Sequence, residues 1–184
     1  DSDVEYFARG TKAFIDKIEA RPEIYGNVEV IEYEDPEVAD LAAAETVDMV
    51  LLARLYHNAI RGGNADEIMA DAFRALKPGG VLGVVQHRSP EDAVDESEQR
   101  DGYVKPSRVL ADAEAAGFEL EARSEINANP DDDHDHPQGV WSLPPSLAVC
   151  RELEDTAEKA ECEAEWRAIG ESDRMTLKFV KPAA

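Results

Sequence analysis

Basic side chains are scarce in these 184 residues: 19 Lys and Arg stand against 41 Asp and Glu, a formal charge of −22. Nucleic-acid phosphates and anionic lipid heads are recognised by clustered Lys and Arg, so neither nucleic acid nor a membrane surface is expected as a partner. The balance favours a solvated acidic surface. Long apolar runs are also missing. Nothing approaches the roughly 18 consecutive apolar residues of a spanning helix, and Asp1-Ser2-Asp3 does not read as a basic-plus-apolar leader. Cysteine is limited to Cys150 and Cys162. The segment between them reads as helix, and on one straight helix they would lie about 18 Å apart. A disulfide needs Cα atoms within about 7 Å, so they bridge only if the chain bends between them. The pair leaves both a cytoplasmic and a periplasmic setting open. No helical H-E-x-x-H metal motif occurs, and no glycine-rich loop for a phosphate or nucleoside precedes the first buried strand.

What is present alternates between two periodicities. Residues 5–23 carry Phe7, Phe14, Ile15 and Ile18 at helical spacing, and Pro22 ends that helix. Residues 27–33 read as a strand. Residues 46–55 form a continuous apolar run, the pattern of a strand covered on both faces. Asn64 then resembles an N-cap with Glu67 three residues on, opening a helix whose apolar stripe is Ile68, Met69, Ala72, Phe73 and Leu76. Pro78-Gly79-Gly80 stops it, and residues 81–86 make the next buried strand. Residues 88–104 are polar and read as a loop or lid. A helix over 105–118 has Pro106 in its first turn and Gly117 at its end. Residues 118–126 alternate as a strand. A Pro- and Asp-rich loop spans 127–146, a helix 151–168, and a last alternating strand 174–182. Strands alternating with helices give an α/β class with a mostly parallel sheet.

Several short motifs occur in order: Tyr56-His57 after one buried strand, Leu76 to Gly80 before the next, and Asn129-Pro130 with Asp132-Asp133-His134 after a third. In these the chain resembles the C-terminal two-thirds of a class I S-adenosylmethionine-dependent methyltransferase, and within that class a bacterial group of predicted methyltransferases. The likeness covers residues 1–147 and 170–182; residues 148–169 read as a helical insertion in a single domain, 1–184. The resemblance implies a Rossmann-like fold with helices on both faces, sheet order 3-2-1-4-5-7-6 and an antiparallel C-terminal strand. It also implies that strands 1 and 2, with the glycine loop, are absent from these residues, which should then bind the cofactor poorly. Strand 4 would be left with an open edge, through which a homo-oligomer could form. The implied function is methyl transfer from S-adenosylmethionine to an unidentified small molecule. The alternatives are a non-catalytic binding or interaction domain on the same scaffold, or a metal-binding protein using loop His and Asp.

Ligands of open α/β sheets bind outside the carboxyl ends of the strands. One buried strand ends in Gln86-His87-Arg88, another in Tyr56-His57-Asn58, and the 127–137 loop carries His134 and His136, so all four histidines belong to one sheet edge. Parallel strand tips lie about 5 Å apart, which puts His57 and His87 on one cleft. Either is a candidate general base. The competing readings are a metal site with Asp131, Asp132 and Asp133, or histidines that only brace loops; no metal ligand is assigned. Glu34 and Asp35, by resemblance, and Tyr56 are candidates for the cofactor. Asn58, Arg88, Asn129, His134 and Trp141 are candidates for the substrate pocket, with Tyr56 and Trp141 as possible aromatic walls.

Overall fold

The computed structural model describes residues 3–30, 42–93 and 101–183, and for residues 3–7 the backbone only. The chain divides into two compact units, 1–35 and 36–184. The first holds helix α1 (Asp3–Glu19) and the short α2 (Pro22–Tyr25). Pro22 opens α2, where a missing N–H costs nothing. Of the expected strand at 27–33, residues 27–30 carry no strand: the Val28 N–H turns back onto Tyr25 O at 2.9 Å. Residues 31–33 lie outside the described residues.

The second unit runs β1 (Val47–Ala53), α3 (Tyr56–Gly62), α4 (Ala65–Ala75), β2 (Leu76–His87), α5 (Pro106–Ala115), β3 (Glu119–Ser124), α6 (Thr156–Ile169) and β4 (Arg174–Val180), with 3₁₀ turns at Gly139–Ser142 and Ala148–Cys150. Its sheet has the order β1-β2-β4-β3. β1 and β2 are parallel, and β4 is antiparallel to both β2 and β3. These orders and directions are those the resemblance assigns to strands 4, 5, 7 and 6. Among the described strands β1 is one edge. β3 is the other, exposed along its whole length and defended by Glu119, Glu121 and Arg123.

The core lies between one sheet face and the apolar stripes of α4 and α5. Met69, Ala72, Val109 and Ala113 bury against Leu82, Val84, Leu177 and Phe179. Phe73 meets Phe118 edge to face at 5.1 Å. Gly117 ends α5 at φ +102°, and a Cβ there would sit 3.0 Å from the Phe73 ring, so both conformation and space require glycine. The opposite sheet face differs from the expectation of a strand covered on both sides: Met49 and Leu51 are each 59% exposed. β2 also begins earlier than its apolar run, because Leu76 pairs with Val47 ahead of the Pro-Gly-Gly segment. Among the described residues no helix is long and apolar enough to cross a membrane.

Cys150 and Cys162 form a disulfide with Cα atoms 5.9 Å apart. The bend that permits it is the departure from the expected helix over 151–168. α6 starts only at Thr156, because the Asp155 carboxylate accepts from the N–H groups of Ala157 (2.8 Å) and Glu158 (3.0 Å) and caps the helix there. No residue of α6 is buried, so the bridge is a main tether of that helix. Reducing it should loosen α6 before the core. Limited proteolysis with reductant should cut within 151–170 faster than without, by about tenfold or more on the scale of a 2–3 kcal/mol crosslink. Equal cutting rates would refute this.

Candidate functional site

The parallel pairing of β1 and β2 ends where Ala53 meets Val85. One more backbone bond follows, from Arg54 N–H to Val85 O at 2.7 Å, with Arg54 at φ +53°. A left-handed arginine is uncommon and strained, and such residues concentrate at functional sites. The chain then turns into α3. Tyr56 points into the core, 1% exposed, and its hydroxyl donates to Asp112 Oδ2 at 2.5 Å. Burial, and then the Asp112 carboxylate, push the Tyr56 phenol well above its ordinary pKa.

His57, one residue on, faces the other way. The amide of Gln86, fully buried in β2, fixes its ring. Gln86 Nε2 donates to Gly102 O at 3.0 Å and contacts His57 Nδ1 at 3.1 Å. Gln86 Oε1 lies 3.4 Å from the same His57 nitrogen, so the amide presents both a donor and an acceptor to it. His87 closes β2 and pairs its Nδ1 with Ser172 Oγ at 2.5 Å. The two imidazoles are 5.4 Å apart between centroids, and Trp141 stands edge-on to His57 at 5.6 Å. Together with Arg54, Asn58 and Ser146 these side chains line a cavity of about 270 Å³, walled on its apolar side by Val140, Pro144 and Pro145. Burial lowers the His57 pKa; the Gln86 contact opposes this and Arg61 adds to it. Burial likewise pushes His87 down, to about 3, with help from His57, Arg54 and Arg174. Both rings are therefore uncharged at neutral pH.

The remaining candidates sit elsewhere. Arg88 forms a bidentate pair with Asp173 (2.7 and 2.8 Å) and a third bond to Glu125 (2.7 Å). Asn129 donates from Nδ2 to Ile169 O and Glu171 O, and from its N–H to Asp173 Oδ1. His134 adopts φ +66°, packs edge-on to Tyr103 at 5.1 Å, and has Nε2 3.5 Å from Asp173 Oδ2. These three brace the 127–137 loop against the start of β4 and do not line the cavity. His136 lies on Trp166 and contacts Asp132 Oδ1 at 2.8 Å. Asp132, Asp133 and His136 are close enough to hold a cation, but Asp132 already accepts from Tyr103 and two backbone N–H groups.

The structure thus brings His57, His87, Asn58 and Trp141 to one cavity. It separates Tyr56, Arg88, Asn129 and His134 from it: the first three are held by hydrogen-bond partners of their own, and His134 packs against Tyr103 with a buried Nε2 that makes no hydrogen bond to the described residues. Glu34 and Asp35 lie outside the described residues. Arg54 was not among the candidates; its mark in the sequence is a charge closing the apolar run of β1.

No family model and no curated protein matches this chain. Solved structures do. A Bacillus halodurans protein assigned as a methyltransferase is 22% identical, with a TM-score of 0.52 over 91% of this chain and 80% of that one. A Galdieria sulphuraria protein assigned as a sarcosine dimethylglycine methyltransferase is 13% identical, with a TM-score of 0.56 over 89% and 64%. This chain therefore spans less than two-thirds of the second protein's length. Sheet order, strand directions and these likenesses agree: the chain has the class I methyltransferase fold.

Proposed function

We propose that this chain transfers a methyl group from S-adenosylmethionine to a small molecule, and that the cavity between His57 and His87 receives the acceptor. The observation that carries the reading is the pair of uncharged imidazoles, 5.4 Å apart, at the carboxyl ends of two adjacent parallel strands. About 270 Å³ is at the small end of ligand pockets and suits a compact acceptor rather than the whole cofactor as well. The residues present fit the reacting end: Asn58 and the His57 ring offer hydrogen-bonding groups, and no carboxylate or thiol among the described lining residues competes for the methyl group. When bound, S-adenosylmethionine supplies a methyl group on a cationic sulfur, which keeps the electron pair of the breaking carbon–sulfur bond. An acceptor lone pair forms the new bond, so alignment supplies much of the rate.

Each residue then has a positioning task. His57, held at Nδ1 by the Gln86 amide, presents Nε2 to the acceptor. His87, with a pKa near 3, is too weak a base to hold a proton at neutral pH and serves as a hydrogen-bonding group. The acceptor's proton, where it has one, leaves to water. The test is S-adenosylhomocysteine formation with methyl-labelled cofactor and a panel of small acids, phenols and amines. Replacing His57 by Gln should lower turnover roughly 10- to 100-fold, the worth of one buried hydrogen bond. The pH–rate profile should show no limb near 6.5 that vanishes in His87→Gln; finding one would restore a general base. Binding of both an acceptor and S-adenosylmethionine without turnover would instead favour a non-catalytic domain on this scaffold.

A further inference from the structure

Charge is distributed against the average around this cavity. The chain carries −22, yet among the described residues no Asp or Glu lines the cavity, and Arg54 does. Arg61 stands at the same wall, its guanidinium 5.7 Å from the Trp141 ring and its Nη2 donating to Asn58 Oδ1 at 2.5 Å. The acids nearby are committed elsewhere: Asp173 and Glu125 to Arg88, Glu171 to Arg174, Asp132 to Tyr103. Among the described residues no acid pairs with Arg54, whose backbone is pinned in a strained conformation by the last bond of the β1–β2 ladder. His57 and His87 each have Nδ1 engaged within the protein, leaving Nε2 as the ring atom without a described partner. Trp141, in edge contact with His57, lines the same cavity with Val140 and the Pro144-Pro145 pair.

A cationic group that no described acid pairs, in a cavity that also holds polar groups, an indole and two prolines, is complementary to one kind of molecule. We propose that the cavity binds an organic oxyanion, a carboxylate or phosphate on a flat apolar body, with the Arg54 guanidinium as counter-ion and Trp141 against the body. This names the acceptor class of the methyl transfer proposed above and rests on that reading only in calling the ligand a substrate. It also fits the weak basicity of His87, since an acceptor that is already an anion needs no base.

The test uses the whole chain with ring-labelled histidine, whose four residues give few resonances to assign. Benzoate and phenyl phosphate are titrated against benzamide and benzylamine. At least one oxyanion should shift His57 and His87 saturably, the tighter one identifying the headgroup, while the neutral and cationic analogues should not. Arg54→Gln should weaken that binding by about tenfold or more, and Arg54→Lys by less. Arg54→Gly is the control for folding: glycine suits φ +53°, so the domain should be at least as stable and still lose the oxyanion. Three results would overturn the proposal: benzylamine binding as well as benzoate, oxyanion binding unchanged in Arg54→Gln, or competitive displacement of benzoate by S-adenosylhomocysteine. The last would assign Arg54 to the cofactor's own carboxylate. Binding of both the oxyanion and S-adenosylmethionine with no methyl transfer would sink the enzymatic reading alone.

Discussion

At pH 4.5 the domain should be easier to unfold than at pH 7.5, by roughly 2–3 kcal/mol from His87 alone. The ring is 8% exposed and its folded pKa lies near 3, against about 6.5 for an unfolded chain. Between those values the unfolded chain binds a proton that the folded one does not. The contribution is intact above pH 6.5 and is lost as pH falls toward 3. His57, lowered chiefly by burial, acts in the same direction. Asp173 adds to it at the acid end. Burial alone would raise its carboxyl, but the Arg88 guanidinium and the Asn129 N–H outweigh that and hold it below its ordinary range. Urea titrations at the two pH values measure the effect, which should appear in melting as a drop of roughly 5–10 °C. In His87→Gln the difference should shrink by about 2 kcal/mol. An undiminished acid sensitivity in that variant would mean that His87 is not the group responsible.

Asp132→Ala should cost about 3–5 kcal/mol, a large part of the 5–15 kcal/mol that holds a typical domain together. The carboxylate is 3% exposed and surrounded by donors. The Tyr103 hydroxyl lies 2.9 Å from each oxygen, His134 N–H and Asp173 N–H donate at 3.0 and 2.7 Å, and His136 Nε2 stands at 2.8 Å. Removing the acceptor strands all of them, two on the backbone of different segments, so the loop and the start of β4 lose their common anchor. Asp132→Asn keeps the shape and some acceptor capacity and should cost less than half as much. Denaturant unfolding of both variants separates the two cases. A loss below about 1 kcal/mol for the alanine would show that water replaces this network readily. Because Tyr103 also lies 6.4 Å from the His87 ring, the alanine variant should disturb the His87 resonance as well.

Where a segment's role depended on its own periodicity, the sequence was readable. Of the stripe, Met69 and Ala72, with Ile68 and Phe73 partly buried, became the core side of α4 while Leu76 opened β2, and Met175, Leu177 and Phe179 became the inward face of β4. The meeting of His57 and His87 was legible too, because two adjacent parallel strands bring their ends together regardless of detail. What the sequence did not show depended on partners far away in the chain. Arg88 looked like a cleft residue, but its carboxylate, Asp173, is 85 positions on. Tyr56 directly precedes His57, yet one helical step of about 100° sends it into the core toward Asp112. The exposed face with Met49 and Leu51 was hidden by composition, since an apolar run does not say which side is covered. The late start of α6 was set by one cap, Asp155, within a run of residues that all tolerate helix.

β4 is the last strand in the chain and lies between two that come much earlier. During synthesis β2 and β3 are therefore both made before the strand that joins them exists. Until Arg174–Val180 has left the ribosome, the inner edges of β2 and β3 each present an unsatisfied row of amides and carbonyls. Elongation, not local folding, then sets the earliest moment at which this sheet can close. A nascent chain stalled before residue 174 would be the form most in need of a chaperone.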